Sequence, residues 1–377
     1  MPAALPQHIE AQVLFGPKDL RMISRSIDAP RSDEVQVAIR ATALCGSDLH
    51  YFTHFRNGDI QIKEPLSQGH ESAGIVVAVG DKATREYGLQ VGDRVALEVG
   101  VPCDECEECL RGAYNVCEKM RFRSSATAFP HFQGTLQERV NHPAKWVHKL
   151  PGSITYAQGA LLEPLAVAIH SVRKAAATAA SSCLVIGAGA VGLLCAAVAK
   201  ADGYKFIVMA DIAENRLQFA KNNGFADATM LIQPKKPQSL EEALQVAKDD
   251  AADLVDQNPA GKFHRTFECS GVESCATRGG GKVMLVGMGT PIQTLPLSAA
   301  ALREVDLVGV WRYANCYPRA LEIMGKAGSN KGVPDVRKLV THTFSGLGSV
   351  PDAFAMAART SDDKGALVIK VVVEIPE

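Results

Sequence analysis

Excess charge of either sign is what this sequence most clearly lacks: 40 Lys and Arg against 41 Asp and Glu leave a net charge of −1. There is no basic run either, so neither nucleic acid nor a membrane surface is expected as a partner. Long hydrophobic runs are also missing. The apolar stretches are strand-length and broken by Gly, which argues against a membrane span. The N-terminus, Met1-Pro-Ala-Ala-Leu-Pro-Gln-His8, lacks the charged-then-apolar layout of a secretory signal. The C-terminus, Glu374-Ile-Pro-Glu377, carries no lipidation or peroxisomal motif. No internal repeat or low-complexity tract is found. The expected location is cytoplasmic, where disulfides do not persist.

With 377 residues, 47% of them apolar, the chain is too long for one ordinary core, and two domains are expected. Four of its ten cysteines fall in one short acidic stretch, Cys103-x2-Cys106-x2-Cys109-x7-Cys117. Structural Zn²⁺ takes four tetrahedral sulfur or imidazole ligands, and spacings this short let one loop wrap the ion. The spacing predicts a structural zinc rather than two disulfides or four unrelated thiols. Cys183, Cys195, Cys269, Cys275 and Cys316 have mostly small or apolar neighbours and are expected as buried thiols. Cys45 is the exception.

The first part of the chain reads as β-rich, with β-branched runs over Glu34–Ile39 and Gly74–Val79. From about Leu165, strands alternate with Ala-rich helical stretches. Strands are predicted over Cys183–Ile186, Phe206–Ala210, Thr266–Cys269 and Lys282–Val286, and helices over Ala190–Ala201, Asn215–Asn223 and Ser239–Asp249. Such alternation predicts a doubly wound parallel sheet and an α/β fold. A last β run covers Ala366–Val373, and Lys174–Ala180 is a candidate boundary element.

Gly187-Ala188-Gly189-Ala190-Val191-Gly192 follows a predicted strand and opens a predicted helix, the context in which G-x-G-x-x-G means dinucleotide binding. The first glycine makes the tight turn, the second admits a pyrophosphate, and the third lets helix and strand pack. The helix N-terminus adds free N–H groups and the positive end of its dipole. Asp211 closes the next strand, nineteen residues after Gly192. A carboxylate there accepts from the ribose hydroxyls and repels a 2′-phosphate, so NAD is preferred over NADP. Arg216 and Gly287 are counted with the loop as cofactor-binding residues.

A second constellation is Cys45-Gly46-Ser47-Asp48-Leu49-His50-Tyr51 with Gly69-His70-Glu71. A lone Cys is usually core, and a lone His a satisfied side chain. Beside a zinc lobe and a nucleotide loop, Cys45 and His70 read instead as a ligand pair for a second Zn²⁺. Glu71 or a distant carboxylate, with water, completes the set.

Together with Glu163-Pro-Leu and Arg312-Tyr313, these motifs extend over nearly the whole chain. They resemble those of the zinc-dependent medium-chain dehydrogenases, and within them the polyol (sorbitol, xylitol, L-arabinitol) dehydrogenases. The resemblance implies a GroES-like catalytic domain over 1–164 and 309–377, with a Rossmann coenzyme domain over 165–308 inserted in it. It implies Cys45, His70 and Glu71 as ligands of a catalytic zinc, and Glu163 bound to that zinc directly or through its water. Ser47 and His50 then form a proton relay, and Tyr51, Phe122, Arg312 and Tyr313 line the polyol pocket. The implied activity is NAD-linked oxidation of a polyol's secondary alcohol to a ketose, by a homo-oligomer, dimer or tetramer. Alternatives are a zinc alcohol dehydrogenase for a non-sugar alcohol and a catalytically impaired zinc- and NAD-binding homologue.

Two stretches depart from the family's pattern. Where the family places a crossover helix, this chain has only Ser270–Gly281. A parallel crossover needs at least about 10–12 residues with its helix, and three consecutive glycines discourage a helix. At most a turn or two over Val272–Thr277 is expected, with part of one sheet face left uncovered. The second departure, Arg123–Gln133, follows Phe122 and is longer than the corresponding loop in many relatives, which points to an altered substrate preference.

Overall fold

The computed structural model describes residues 7–176, 181–235, 237–270, 277–288, 295–328 and 332–376. Contacts divide the chain into one unit of Met1–Glu163 with Arg337–Glu377 and a second of Pro164–Val336. The first break, between Glu163 and Pro164, is one residue before the expected one. The second lies well beyond the expected residue 308, because the segment after the last parallel strand still bonds to the second unit. Arg173 Nη2 donates to Ala314 O, and Arg319 pairs with Asp202 at 2.9 Å.

In the first unit, β1 (His8–Gly16) and β2 (Asp19–Ser26) pair antiparallel. The strand β3 (Glu34–Ala43) is buried at every position except Arg40, which makes it the spine of the sheet. Helix α1 (Gly46–His54) follows directly, and β4 (Glu71–Val79) pairs antiparallel with β3. Next come β5 (Arg94–Leu97), β6 (Arg139–Pro143) and β7 (Val147–Lys149), and α2 (Leu162–Ala175) reaches the boundary. The structure ends α2 at Ala175, and residues 177–180 of the candidate boundary element lie outside the described residues.

The second unit follows the predicted alternation: β8 (Ser182–Ile186), α3 (Ala190–Ala201), β9 (Phe206–Asp211), α4 (Glu214–Asn222), β10 (Ala228–Leu231), α5 (Leu240–Asp256), β11 (Phe263–Glu268), β12 (Thr277–Leu285), α6 (Leu297–Ala301), β13 (Asp306–Gly309) and α7 (Tyr317–Lys326). The six strands are all parallel, in the order β10-β9-β8-β11-β12-β13. The chain therefore switches direction across the sheet beside β8, and ligands bind at the carboxyl end of such a switch point. Leu184, Ile186, Val208, Ala210, Leu254 and Phe263 form the core there. Helix α5 runs past the expected Asp249, since no Gly or Pro interrupts it before Asp256.

The short crossover resolves in part. The strand expected from Lys282 already starts at Thr277: Phe263 pairs with Thr277 and Arg265 with Lys282. The glycines are taken up as a bulge inside β12, where a residue without a Cβ is tolerated. Residues 271–276, including Cys275, lie outside the described residues. Nearby, α5 and α6 wall a cavity of about 870 Å³ lined by Ala243, Leu244, Ala247, Val255, Pro296 and Ala299.

The chain returns to the first unit with β14 (Val340–Ser345), α8 (Val350–Ala357) and β15 (Lys370–Glu374). This completes a seven-stranded sheet ordered β7-β5-β4-β3-β15-β14, with β6 also paired to β3. The predicted run from Ala366 is strand only from Lys370. Ala366 N is bound by Asp362 Oδ1 at 2.7 Å in the preceding turn. Among the described residues no helix is long and apolar enough to cross a membrane.

Candidate active site

Cys45 is the N-cap of α1, and His70 and Glu71 stand where the chain enters β4. The thiol of Cys45, a ring nitrogen of His70 and a carboxylate oxygen of Glu71 lie within 4.8 Å of one another. His70 and Glu71 are buried, and Cys45 is half-buried. A thiolate, an imidazole and a carboxylate are donors that Zn²⁺ accepts, with a fourth position for water or substrate. The three residues fit the metal. Glu163, the second residue of α2, is buried but is not among the three that converge.

Asp48, absent from the predicted site, joins its two segments. Its Oδ2 accepts from Cys45 N at 2.9 Å, and its Oδ1 accepts from Gly69 N at 3.1 Å and lies 3.5 Å from His70 Nδ1. Ser124 Oγ is 2.9 Å from the same ring nitrogen. A carboxylate on one imidazole nitrogen orients the ring and leaves the other nitrogen for a metal. Burial disfavours charge on His70, yet Asp48 and Cys45 raise it well above its usual value. Burial likewise lifts Asp48, while His70 and two N–H donors hold its carboxyl below the usual range.

Zinc has to displace the proton of His70, so loading of this site falls as pH falls. The fall in apparent zinc affinity is expected to begin above the ordinary imidazole value of 6.5. Titration against a chelator at stepped pH checks this; an affinity unchanged between about pH 8 and pH 6 runs against it.

Ser47 and His50 sit three residues apart on α1, spacing that puts them side by side, with Ser47 half-buried and His50 exposed. The ring of Phe122 is 5.7 Å from that of His70. Tyr51 packs with Leu14, Ile62 and Leu66, and its hydroxyl accepts from Ala126 N at 3.2 Å. Arg312 and Tyr313 belong to the second unit. The guanidinium of Arg312 lies 4.6 Å over the Trp311 ring, and Tyr313 is buried against Tyr317 at 5.8 Å.

The four-cysteine lobe has the predicted convergence. All four sulfurs lie within 4.8 Å, with Cys103–Cys109 at 3.9 Å, Cys106–Cys109 at 3.4 Å and Cys103–Cys117 at 3.6 Å. A tetrahedral ion bonded at ~2.3 Å sets its sulfurs ~3.8 Å apart, so these residues fit zinc as well. Backbone N–H groups of Glu105 and Cys106 hold the Cys103 thiol down at about 6, while burial pushes Cys109 up to about 12.

In the second unit β8 runs into Gly187, whose φ of +96° favours glycine and whose N–H donates to Ala210 O at 2.8 Å. A Cβ on Gly192 would stand 1.8 Å from Gly187 O, so only glycine lets α3 cross this turn. At Gly189 the nearest atom to such a Cβ is Arg216 Nη1 at 3.9 Å, which leaves the turn open. Ala190 and Val191 begin α3. The buried Asp211 accepts from Ala188 N at 2.6 Å and Ala213 N at 2.8 Å, fixing its carboxylate at the loop. Gly287 N donates to Glu268 O at 2.8 Å.

Comparison with known proteins agrees with this geometry. Residues 31–152 match the alcohol dehydrogenase GroES-like domain, and 190–326 match the zinc-binding dehydrogenase domain. A sorbitol dehydrogenase of Arabidopsis thaliana is 40% identical over 87% of this chain and 86% of its own length. An L-idonate 5-dehydrogenase of Vitis vinifera is 36% identical over 95% of this chain and 93% of its own. Among solved structures, the L-idonate 5-dehydrogenase of Escherichia coli has a TM-score of 0.81 at 26% identity, covering 97% of this chain and 98% of that one. With both domain matches falling in chain order on the units that carry the ligand cluster and the glycine loop, the chain belongs to the zinc-binding alcohol dehydrogenases, in the subgroup of the polyol dehydrogenases.

Proposed function

We propose that the chain oxidises a secondary alcohol of a polyol to a ketose and passes the hydride to NAD. The observation that carries this is the convergence of Cys45, His70 and Glu71. Bound there, zinc supplies Lewis acidity to the alcohol oxygen. Cys45, His70 and Glu71 would hold the ion, and Glu163, outside the converging three, would bind it directly or through its water. Phe122 keeps the surroundings of His70 apolar. Ser47 takes the alcohol's proton, and His50 delivers it to solvent. The resemblance assigns Arg312 and Tyr313, like Tyr51, to recognition of the polyol, and a guanidinium offers a fork of donors to neighbouring hydroxyls. Relatives named for sorbitol and for L-idonate support a polyhydroxylated substrate. A cytoplasmic homo-oligomer, dimer or tetramer, completes the proposal; the exposed edge strand β13, with Leu307 accessible, supports association.

The test is NADH formation by purified, zinc-loaded protein across sorbitol, xylitol, L-arabinitol and L-idonate, set against simple secondary alcohols. Oxidation of the simple alcohols alone would make the protein a non-sugar alcohol dehydrogenase. No turnover with both zinc and NAD bound would make it an impaired homologue.

NAD is preferred because Asp211 meets the ribose, while Arg216 stands over the phosphate turn at Gly189. Asp211→Ser is expected to weaken NAD binding about tenfold or more, as loss of charged hydrogen bonds does, and to narrow the NAD/NADP gap. An unchanged cofactor preference would remove Asp211 from the ribose.

A further inference from the structure

Lys370 is a buried cation that the scheme above does not use. It opens β15 and is 4% exposed; its ammonium donates to Leu44 O at 3.1 Å and to both carboxylate oxygens of Glu71. An ammonium so enclosed is stable only against an opposite charge. The two oxygens of Glu71 and the carbonyl of Leu44 enclose the ammonium, and no other side chain is needed to pair it. Glu71 is also the carboxylate assigned to zinc.

Resting on the zinc reading of Cys45, His70 and Glu71, we propose that Lys370 is a positioning residue that competes with the metal: it holds Glu71 in the metal-free protein, and zinc has to share that carboxylate with it. Two effects follow. The ammonium repels the incoming cation and so weakens zinc binding. It also spares the empty site an uncompensated buried carboxylate, and so stabilises the metal-free protein.

The test uses the full chain with its four-cysteine lobe filled, titrated with Zn²⁺ against a chromophoric chelator at about pH 8, where ligand protons compete least. Lys370→Met is expected to bind the second zinc about tenfold tighter and to melt below the parent when that site is empty. Lys370→Arg, which keeps the charge, should leave both quantities near the parent's. A second-zinc affinity that is unchanged or weaker in Lys370→Met overturns the inference, because a purely structural ion pair would leave it there. In a Glu71→Gln background the tightening should shrink, because only the direct repulsion is left; if it is undiminished, Lys370 does not act through Glu71 and the inference fails. Should Lys370→Met not fold, Lys370→Gln keeps a donor for Leu44 and Glu71 without the charge and reads the same shift. If the parent takes up no second zinc, or Cys45→Ala leaves it bound, the zinc reading itself falls and takes the inference with it. That outcome is distinct from an unmoved affinity.

Discussion

Cys45→Ala or His70→Ala is expected to lower polyol oxidation at least about a thousandfold while NAD still binds. Lewis-acid stabilisation of the alkoxide is worth several kcal/mol, and each ~1.4 kcal/mol is tenfold in rate. NAD binding persists because the ligand cluster lies in the first unit and the glycine loop in the second. Of the two variants, Cys45→Ala is the cleaner, since removing His70 also strips the buried Asp48 carboxylate of its facing imidazole. Steady-state NADH formation, zinc analysis and a binding titration with NADH check the prediction together. Substantial residual oxidation in either variant would mean that zinc is not the Lewis acid.

The second large effect concerns stability. Two zinc ions per subunit are expected from two separate ligand sets, and Cys106→Ser should reduce the count to one. A structural zinc contributes folding free energy directly, about 10–16 kcal/mol in isolated finger peptides. Here no strand of the sheet around β3 includes a lobe residue, so a smaller loss is expected. A few kcal/mol corresponds to a fall in Tm on the order of 10 °C for a unit of this size. Turnover at temperatures well below melting should change far less. A metal content of one per subunit, unchanged in Cys106→Ser, would remove the structural site.

What could be read from the sequence was whatever depends on spacing and local pattern. The four-cysteine lobe, the glycine loop and the strand–helix alternation each occupy one contiguous stretch whose chemistry is stated by residue type. Helix α3 falls where its periodicity puts it, Ala190–Ala201. Less legible were the partners that only folding brings together. Asp48 reaches Gly69 across 21 residues and Ser124 reaches His70 across 54. Lys370 meets Glu71 across 299 residues. One signal was available for Lys370: a single cation inside the apolar run Val368–Val373 is either an exposed edge or a paired charge. For Asp48 the signal was its place three residues after a Cys that caps a helix. Ser124 had none; its φ of +60° belongs to a loop whose shape is set by Phe132 and His131, not by local propensity. The bulge in β12 was equally hidden, because three glycines permit a bulge, a turn or a loop with similar ease.

Asp48 has a consequence for how metal is taken up. By bonding to Cys45 N and Gly69 N it closes a loop between the two ligand-bearing segments. Bringing the ends of a flexible loop of ~20 residues together costs roughly 2–3 kcal/mol of chain entropy. Because the folded protein has already closed that loop, the arriving ion finds its donors assembled and does not have to order them. Metal capture at this site then calls for an exchange of ligands rather than the ordering of a loop.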